Sequence, residues 1–130
     1  MMKKLIPILL TTLLFTGCLA PQNPANTYRQ ITMEEAVTMM GQETGYIILD
    51  VRRPDEFAAG HIPSAINVPN ETIGAEEIFE LPNKKQLIMV YCRSGHRSKE
   101  AAEKLLKLGY TNIVEFGGIL DWKGEMVSGN

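Results

Sequence analysis

Hydrophobic residues fall in short unbroken runs that alternate with amphipathic stretches over residues 29–126. The runs Ile47-Ile48-Leu49-Asp50-Val51, Ala65-Ile66-Asn67-Val68, Leu87-Ile88-Met89-Val90-Tyr91 and Asn112-Ile113-Val114-Glu115-Phe116 are strand-length, and charged or turn-forming residues end them. Continuous apolar runs of this length suit strands buried on both faces of a parallel sheet. Between them the period changes. Thr32 and Glu35 form a capping box opening a helix over 33–40 that Gly41 closes, and Pro54 opens a short helix that Gly60 ends. A brief helix is expected over 76–81 before Pro82, and a long one over 98–108 with Gly109 past its end. Strand and helix in alternation predict right-handed βαβ units: an α/β domain with a central, mainly parallel sheet and helices on both faces. Ligands then belong at the carboxyl ends of the strands, where Asp50 and Cys92 fall.

The first seventeen residues have a different pattern. Lys3 and Lys4 precede an apolar stretch, 5–15, and small residues follow before Cys18. This is a secretory signal, too short to span a bilayer comfortably. Phe15-Thr16-Gly17-Cys18 resembles a bacterial lipoprotein box, although Phe15 replaces the usual leucine, and implies that Cys18 is the lipidated first residue of the mature chain. Residues 1–17 are thus expected to be the signal, 18–28 a Pro/Asn-rich spacer, 29–126 the folded domain and 127–130 a tail. The expected location is the cell envelope, with the protein anchored in a membrane by lipid.

At 130 residues, 45% of them hydrophobic, the chain has room for one domain with a real core, and it is expected to act as a monomer. The net charge is −2, and no basic run offers a footprint for nucleic acid. Losing Lys3 and Lys4 makes the mature chain more acidic, so acyl chains rather than basic residues must supply membrane attachment. With Cys18 lipidated, Cys92 is the one free thiol, which excludes a dithiol redox pair. His61 and His96 lack ligand spacing to a second cysteine or a carboxylate pair, so no metal or other cofactor is expected.

Cys92 opens the segment Cys-Arg-Ser-Gly-His-Arg-Ser, between an apolar strand and a helix start. Unpaired backbone N–H groups and the positive end of a helix dipole surround a thiol in that position. Arg93 and Arg97 add permanent positive charge, and both effects favour a thiolate nucleophile with an anionic partner.

Further motifs lie at consistent spacing. Leu49-Asp50-Val51-Arg52, Glu56-Phe57, the run from Gly60-His61-Ile62-Pro63 to Val68-Pro69, the Cys92 loop and Gly117-Gly118 before Trp122 together resemble a rhodanese-homology domain. The resemblance covers about residues 29–126. It implies a small α/β fold and a sulfurtransferase in which Cys92 accepts sulfane sulfur as a persulfide. The donor would be a small anion such as thiosulfate, and the acceptor cyanide, a thiol or another envelope protein. Backbone amides of Arg93, Ser94, Gly95, His96, Arg97 and Ser98 would cradle the sulfur, and Arg97 would bind the donor. Amide N–H groups with an arginine fork also suit such a dianion on physical grounds.

Two rivals follow from the same thiolate. Related phosphatases and arsenate reductases place five residues between cysteine and arginine, whereas four separate Cys92 from Arg97, and Tyr91 stands where a phosphatase commonly has histidine. A non-enzymatic persulfide carrier or binding module is the other. Supporting roles fall to Asp50, which either orients the loop or caps the next helix, and to Arg52, expected to pair with Glu56 one turn on. His61 is expected to hold a turn. His96 either tunes acceptor choice or faces solvent. Trp122 is expected to close the core beneath the site, and Met33, Met39, Met40 and Met89 to pack.

Overall fold

The computed structural model describes residues 27–130. Strands β1 (Arg29–Gln30), β2 (Ile47–Asp50), β3 (Ile66–Asn67), β4 (Ile88–Cys92) and β5 (Ile113–Gly118) form one sheet. Its order is β1-β5-β4-β2-β3, and every pairing is parallel. Helices α1 (Met33–Gln42), α2 (Pro54–Ala59) and α3 (His96–Lys107) cover it.

The side-chain alternation of β4 explains the layers. Ile88, Val90 and Cys92 share one core cluster with Ala101, Ala102 and Leu105 of α3. Met89 and Tyr91 point the other way, into a cluster with Ala36 of α1 and Phe57 of α2. All five residues of β4 are buried, as a central strand covered on both faces requires. The α/β fold expected from the sequence is the one observed.

Several boundaries differ. Helix α1 passes through Gly41 to Gln42 and ends at Glu43, whose N–H donates to the Met39 carbonyl. The glycine that supplies left-handed backbone is Gly45 (φ +70°), so Gly41 has no reason to stop the helix. No helix forms over 76–81. Six residues carrying three glutamates cannot nucleate one alone, and only Ile78 and Leu81 find core while Phe79 stays 93% exposed. The segment makes a turn closed by Leu81 N–H on the Ile78 carbonyl (3.0 Å), and a 3-10 turn lies earlier, at Asn70–Thr72. Strand β4 extends to Cys92 and α3 starts at His96, so the thiol is the last strand residue.

The β4–β5 ladder carries an irregularity that matters for the site. Val90 pairs with Glu115 but Cys92 pairs with Gly118, so β5 holds one extra residue beside the thiol. Such a bulge bends the strand locally.

Candidate active site

Cys92 Sγ lies at the carboxyl end of β4, and the residue is 1% exposed. Gly95 adopts φ +103° and turns its N–H back onto the sulfur at 3.0 Å. Left-handed backbone there favours glycine, and the residue also caps the N-terminus of α3. Ser98 Oγ, in the first turn of α3, lies 3.4 Å from Sγ on the buried side. The thiol therefore meets a backbone donor, a hydroxyl and the positive end of a 12-residue helix. The outer part of the loop rests on β5. An ideal Cβ on Gly118 would overlap the Arg93 carbonyl, and Leu120 N–H donates to that carbonyl at 3.3 Å. Arg93 and Ser94 are exposed, as is His96, whose Nε2 pairs with Glu100 at 2.9 Å.

Arg97 reaches from α3 to α2. Its two Nη groups donate to the two carboxylate oxygens of Glu56 at 2.6 and 3.1 Å. That hydrogen-bonded pair holds the Glu56 carboxyl below its ordinary range against the opposing effect of burial, and raises Arg97 further above its own. The charges of Cys92 and Asp50 also act on Arg97. A guanidinium has five N–H donors, so the rest remain for a second anion.

The expected Arg52–Glu56 pair does not form. Arg52 turns inward instead, donating from Nε to Asp50 Oδ1 (3.0 Å) and from Nη2 to Asp50 Oδ2 (2.7 Å) and the Gly60 carbonyl (2.7 Å). A guanidinium this buried needs a carboxylate at bonding distance, and Asp50 is already fixed beside it. Asp50 does not cap α2, whose N-cap is Arg53, but accepts the Arg52 backbone N–H at 2.9 Å. Asp50 thus caps no helix and holds Arg52 instead. Asp50 pairs with Tyr91 across the ladder, so this ion pair lies next to the residue preceding the thiol. Burial first, then the charge of Asp50, pushes the Tyr91 phenol far above its usual range.

The rhodanese-like domain family model matches residues 32–125, most of the chain. This chain belongs to that family. Over 81 residues it is 33% identical to thiosulfate sulfurtransferase PspE of Escherichia coli, covering 62% of this chain and 78% of the relative. A solved Escherichia coli rhodanese with anions superposes with a TM-score of 0.59 at 32% identity, covering 65% of this chain and 99% of that one. A rhodanese-like domain protein from Staphylococcus aureus gives a TM-score of 0.67 at 29% identity, covering 78% and 99% respectively.

Within this rhodanese-like domain, two residues at the site carry no local sequence signal for their role. Helical spacing offers Glu56 to Arg52, and nothing local points to Arg97. Glu115 reads in sequence as part of a strand. It is 2% exposed, and its Oε1 accepts from Ser98 Oγ (2.7 Å) and Gly117 N–H (2.9 Å). The available signal was a single carboxylate inside an apolar run, in a strand next to the Cys92 strand. Trp122 packs on the α1/α2 side of the sheet, opposite the side that holds Cys92, so it does not lie beneath the thiol. His61 is buried, stacks on Phe57 at 3.7 Å between ring centroids, and places Nδ1 2.8 Å from the Phe57 carbonyl, holding the turn. Met89 is fully buried, and Met33, Met39 and Met40 pack against the α1/α2 cluster. Cys18 and the signal and spacer assigned around it lie outside the described residues, apart from Thr27 and Tyr28.

Proposed function

We propose that this protein is a sulfurtransferase that carries sulfane sulfur on Cys92 from a small anionic donor such as thiosulfate to cyanide or a thiol. The observation that carries the reading is Cys92 Sγ held at 3.0 Å from the Gly95 N–H, at the N-terminus of α3 and within the electrostatic reach of Arg97. The named activity of PspE and the anions in the Escherichia coli rhodanese agree with it. The Cys92 thiolate attacks the sulfane sulfur of thiosulfate, the S–S bond breaks, and sulfite leaves with the bonding electrons. The product is an anionic persulfide, for which Gly95 N–H and the helix terminus supply fixed positive dipoles at no reorganisation cost. The nucleophilic acceptor then attacks the outer sulfur and releases Cys92 as thiolate, so electrons balance without a further redox partner. In this reading Arg97, oriented by Glu56, meets the donor's negative charge, and the Asp50–Arg52 pair supports the neighbouring strand end.

Intact-mass spectrometry tests the reading. Thiosulfate should add the mass of one sulfur atom, cyanide should remove it, and Cys92→Ser should abolish the gain. Absence of the gain in folded wild-type protein overturns the assignment.

A further inference from the structure

Glu115 is a carboxylate that the sulfur-transfer steps above leave without a task. It sits between Val114 and Phe116 on β5, 2% exposed, and no Lys, Arg or His forms an ion pair with it among the described residues. Burying a carboxylate without a cation is costly, so a site that keeps one has a use for it or meets that cost elsewhere. Its neighbours are directional. Ser98 Oγ has one proton and two possible acceptors, Glu115 Oε1 at 2.7 Å and the Gly117 carbonyl at 3.4 Å. The shorter bond takes the proton, which leaves a serine lone pair facing Cys92, whose Sγ lies 3.4 Å away and donates its proton to it. Cys92, Ser98 and Glu115 therefore form an unbroken donor-to-acceptor chain running from sulfur to carboxylate.

We propose that Glu115 stores the proton that Cys92 gives up, receiving it through Ser98. As the S–H bond breaks, its proton bonds to Ser98 Oγ while the serine proton moves to Glu115 Oε1. The net charge of the site is unchanged. The sulfur is left as a thiolate that accepts from Ser98 and Gly95, and Glu115 becomes a neutral carboxylic acid donating to Ser98. This solves an electrostatic conflict. An anionic persulfide and an anionic donor would otherwise sit beside a buried carboxylate in a poorly screened interior. The catalytic meaning rests on the sulfurtransferase reading, but the proton transfer itself does not.

The surroundings leave Glu115 as the acceptor. From β4 Cys92 is the titratable neighbour: Val90 is opposite Glu115 in the ladder, and Tyr91 packs into the cluster on the other face. From β1 the opposite residue is the neutral Gln30. From α3, Ser98 makes the contact, while Arg97 is bonded to Glu56 of α2. Asp50 at the end of β2 is bonded to Arg52. Glu115 is a positioning residue here: it touches no substrate and acts through Ser98.

Alkylation of Cys92 by iodoacetamide across the pH range, followed by mass, tests the proposal without any sulfur donor. In the wild type the tautomer with thiolate and neutral Glu115 has the same net charge as the one with thiol and carboxylate. Its population is therefore constant between the two macroscopic proton losses, and the rate profile should show a plateau bounded by two inflections. Glu115→Gln keeps shape and hydrogen bonding but holds no proton, so its profile should lose the lower inflection. A single inflection in the wild type, or two inflections retained in Glu115→Gln, overturns the proposal. Should the variant not fold, infrared difference spectra of the wild type decide: a protonated-carboxyl band must remain on the plateau and vanish across the upper inflection, and its complete loss at the lower inflection overturns the proposal. A flat mass response to thiosulfate beside a two-step alkylation profile would remove the sulfurtransferase reading and leave the proton relay standing.

Discussion

Glu56 and Arg97 meet across a separation of 41 positions, through two hydrogen bonds that no local pattern announces. The pair has a consequence for stability in acid. The folded-state Glu56 carboxyl is held below its ordinary value of 4.5, chiefly by the Arg97 hydrogen bonds. A carboxyl depressed in the folded state binds its proton more readily in the unfolded chain, so its contribution is fully present above about pH 4.5 and is lost as pH falls toward the folded value. Thermal unfolding of wild type and Glu56→Gln should therefore differ near neutral pH, and the gap should close as pH falls below about 4.5. Asp55, held low by its hydrogen bond from Arg53, is common to both proteins and cancels. A gap unchanged by acid would show that the ionised pair adds nothing. At this scale Cys92, Gly95 and Ser98 are legible because they lie within seven consecutive residues. Arg52 departs from its expected partner for a related reason. Helical spacing offered Glu56 as a partner, but Arg52 precedes the helix, and burial commits it to the nearer Asp50.

The strand-loop-helix unit of β4 and α3 depends on a contact with β5. Gly118 lets the Arg93 and Ser94 backbone approach where any side chain would collide. Relief must come from backbone on one side or the other, since no flexible side chain is involved. Gly118→Ala should destabilise the fold by at least about 1–3 kcal/mol, the usual cost of overpacking. It should also displace the loop that aims Gly95 N–H at Cys92. Urea denaturation reads the first effect, and the rate of Cys92 alkylation at fixed pH reads the second. Full stability with an unchanged alkylation rate would mean the loop does not need this close approach. Elements with strong local signals formed as expected: the Thr32–Glu35 box caps α1 through Thr32 Oγ1 accepting from Glu35 N–H at 3.1 Å, and Gly109 (φ +96°) follows α3. The 76–81 segment failed because its helical signal was a pair of apolar positions in an acidic stretch, and tertiary contact to Ile78 and Leu81 satisfied both without a helix.

At the scale of the whole molecule, the lipoprotein-like segment and the domain occupy separate stretches of sequence. We propose that the lipoprotein-like segment ending at Cys18 tethers the domain to a membrane of the cell envelope through acyl chains. Cys18→Ala should then shift the protein from membrane to soluble fraction while Cys92 still takes up one sulfur atom from thiosulfate. Retention on the membrane would point to attachment by another route, and loss of sulfuration would show that anchor and site are coupled.

The sequence by itself determined the alternation of strands and helices, the burial of β4 on both faces, and the position of Cys92 at a strand's carboxyl end before a helix. Those features are written in the period of apolar residues and in capping residues, which act over a few positions. Only the tertiary structure decided what surrounds the thiol. The order β1-β5-β4-β2-β3 brings β5 against β4, which sets Glu115 beneath Ser98 and Gly118 beneath Arg93, and it places α2 so that Glu56 meets Arg97. Strand order and the extra residue in β5 follow from how the whole apolar surface is buried at once, a sum over distant contacts that no local window contains.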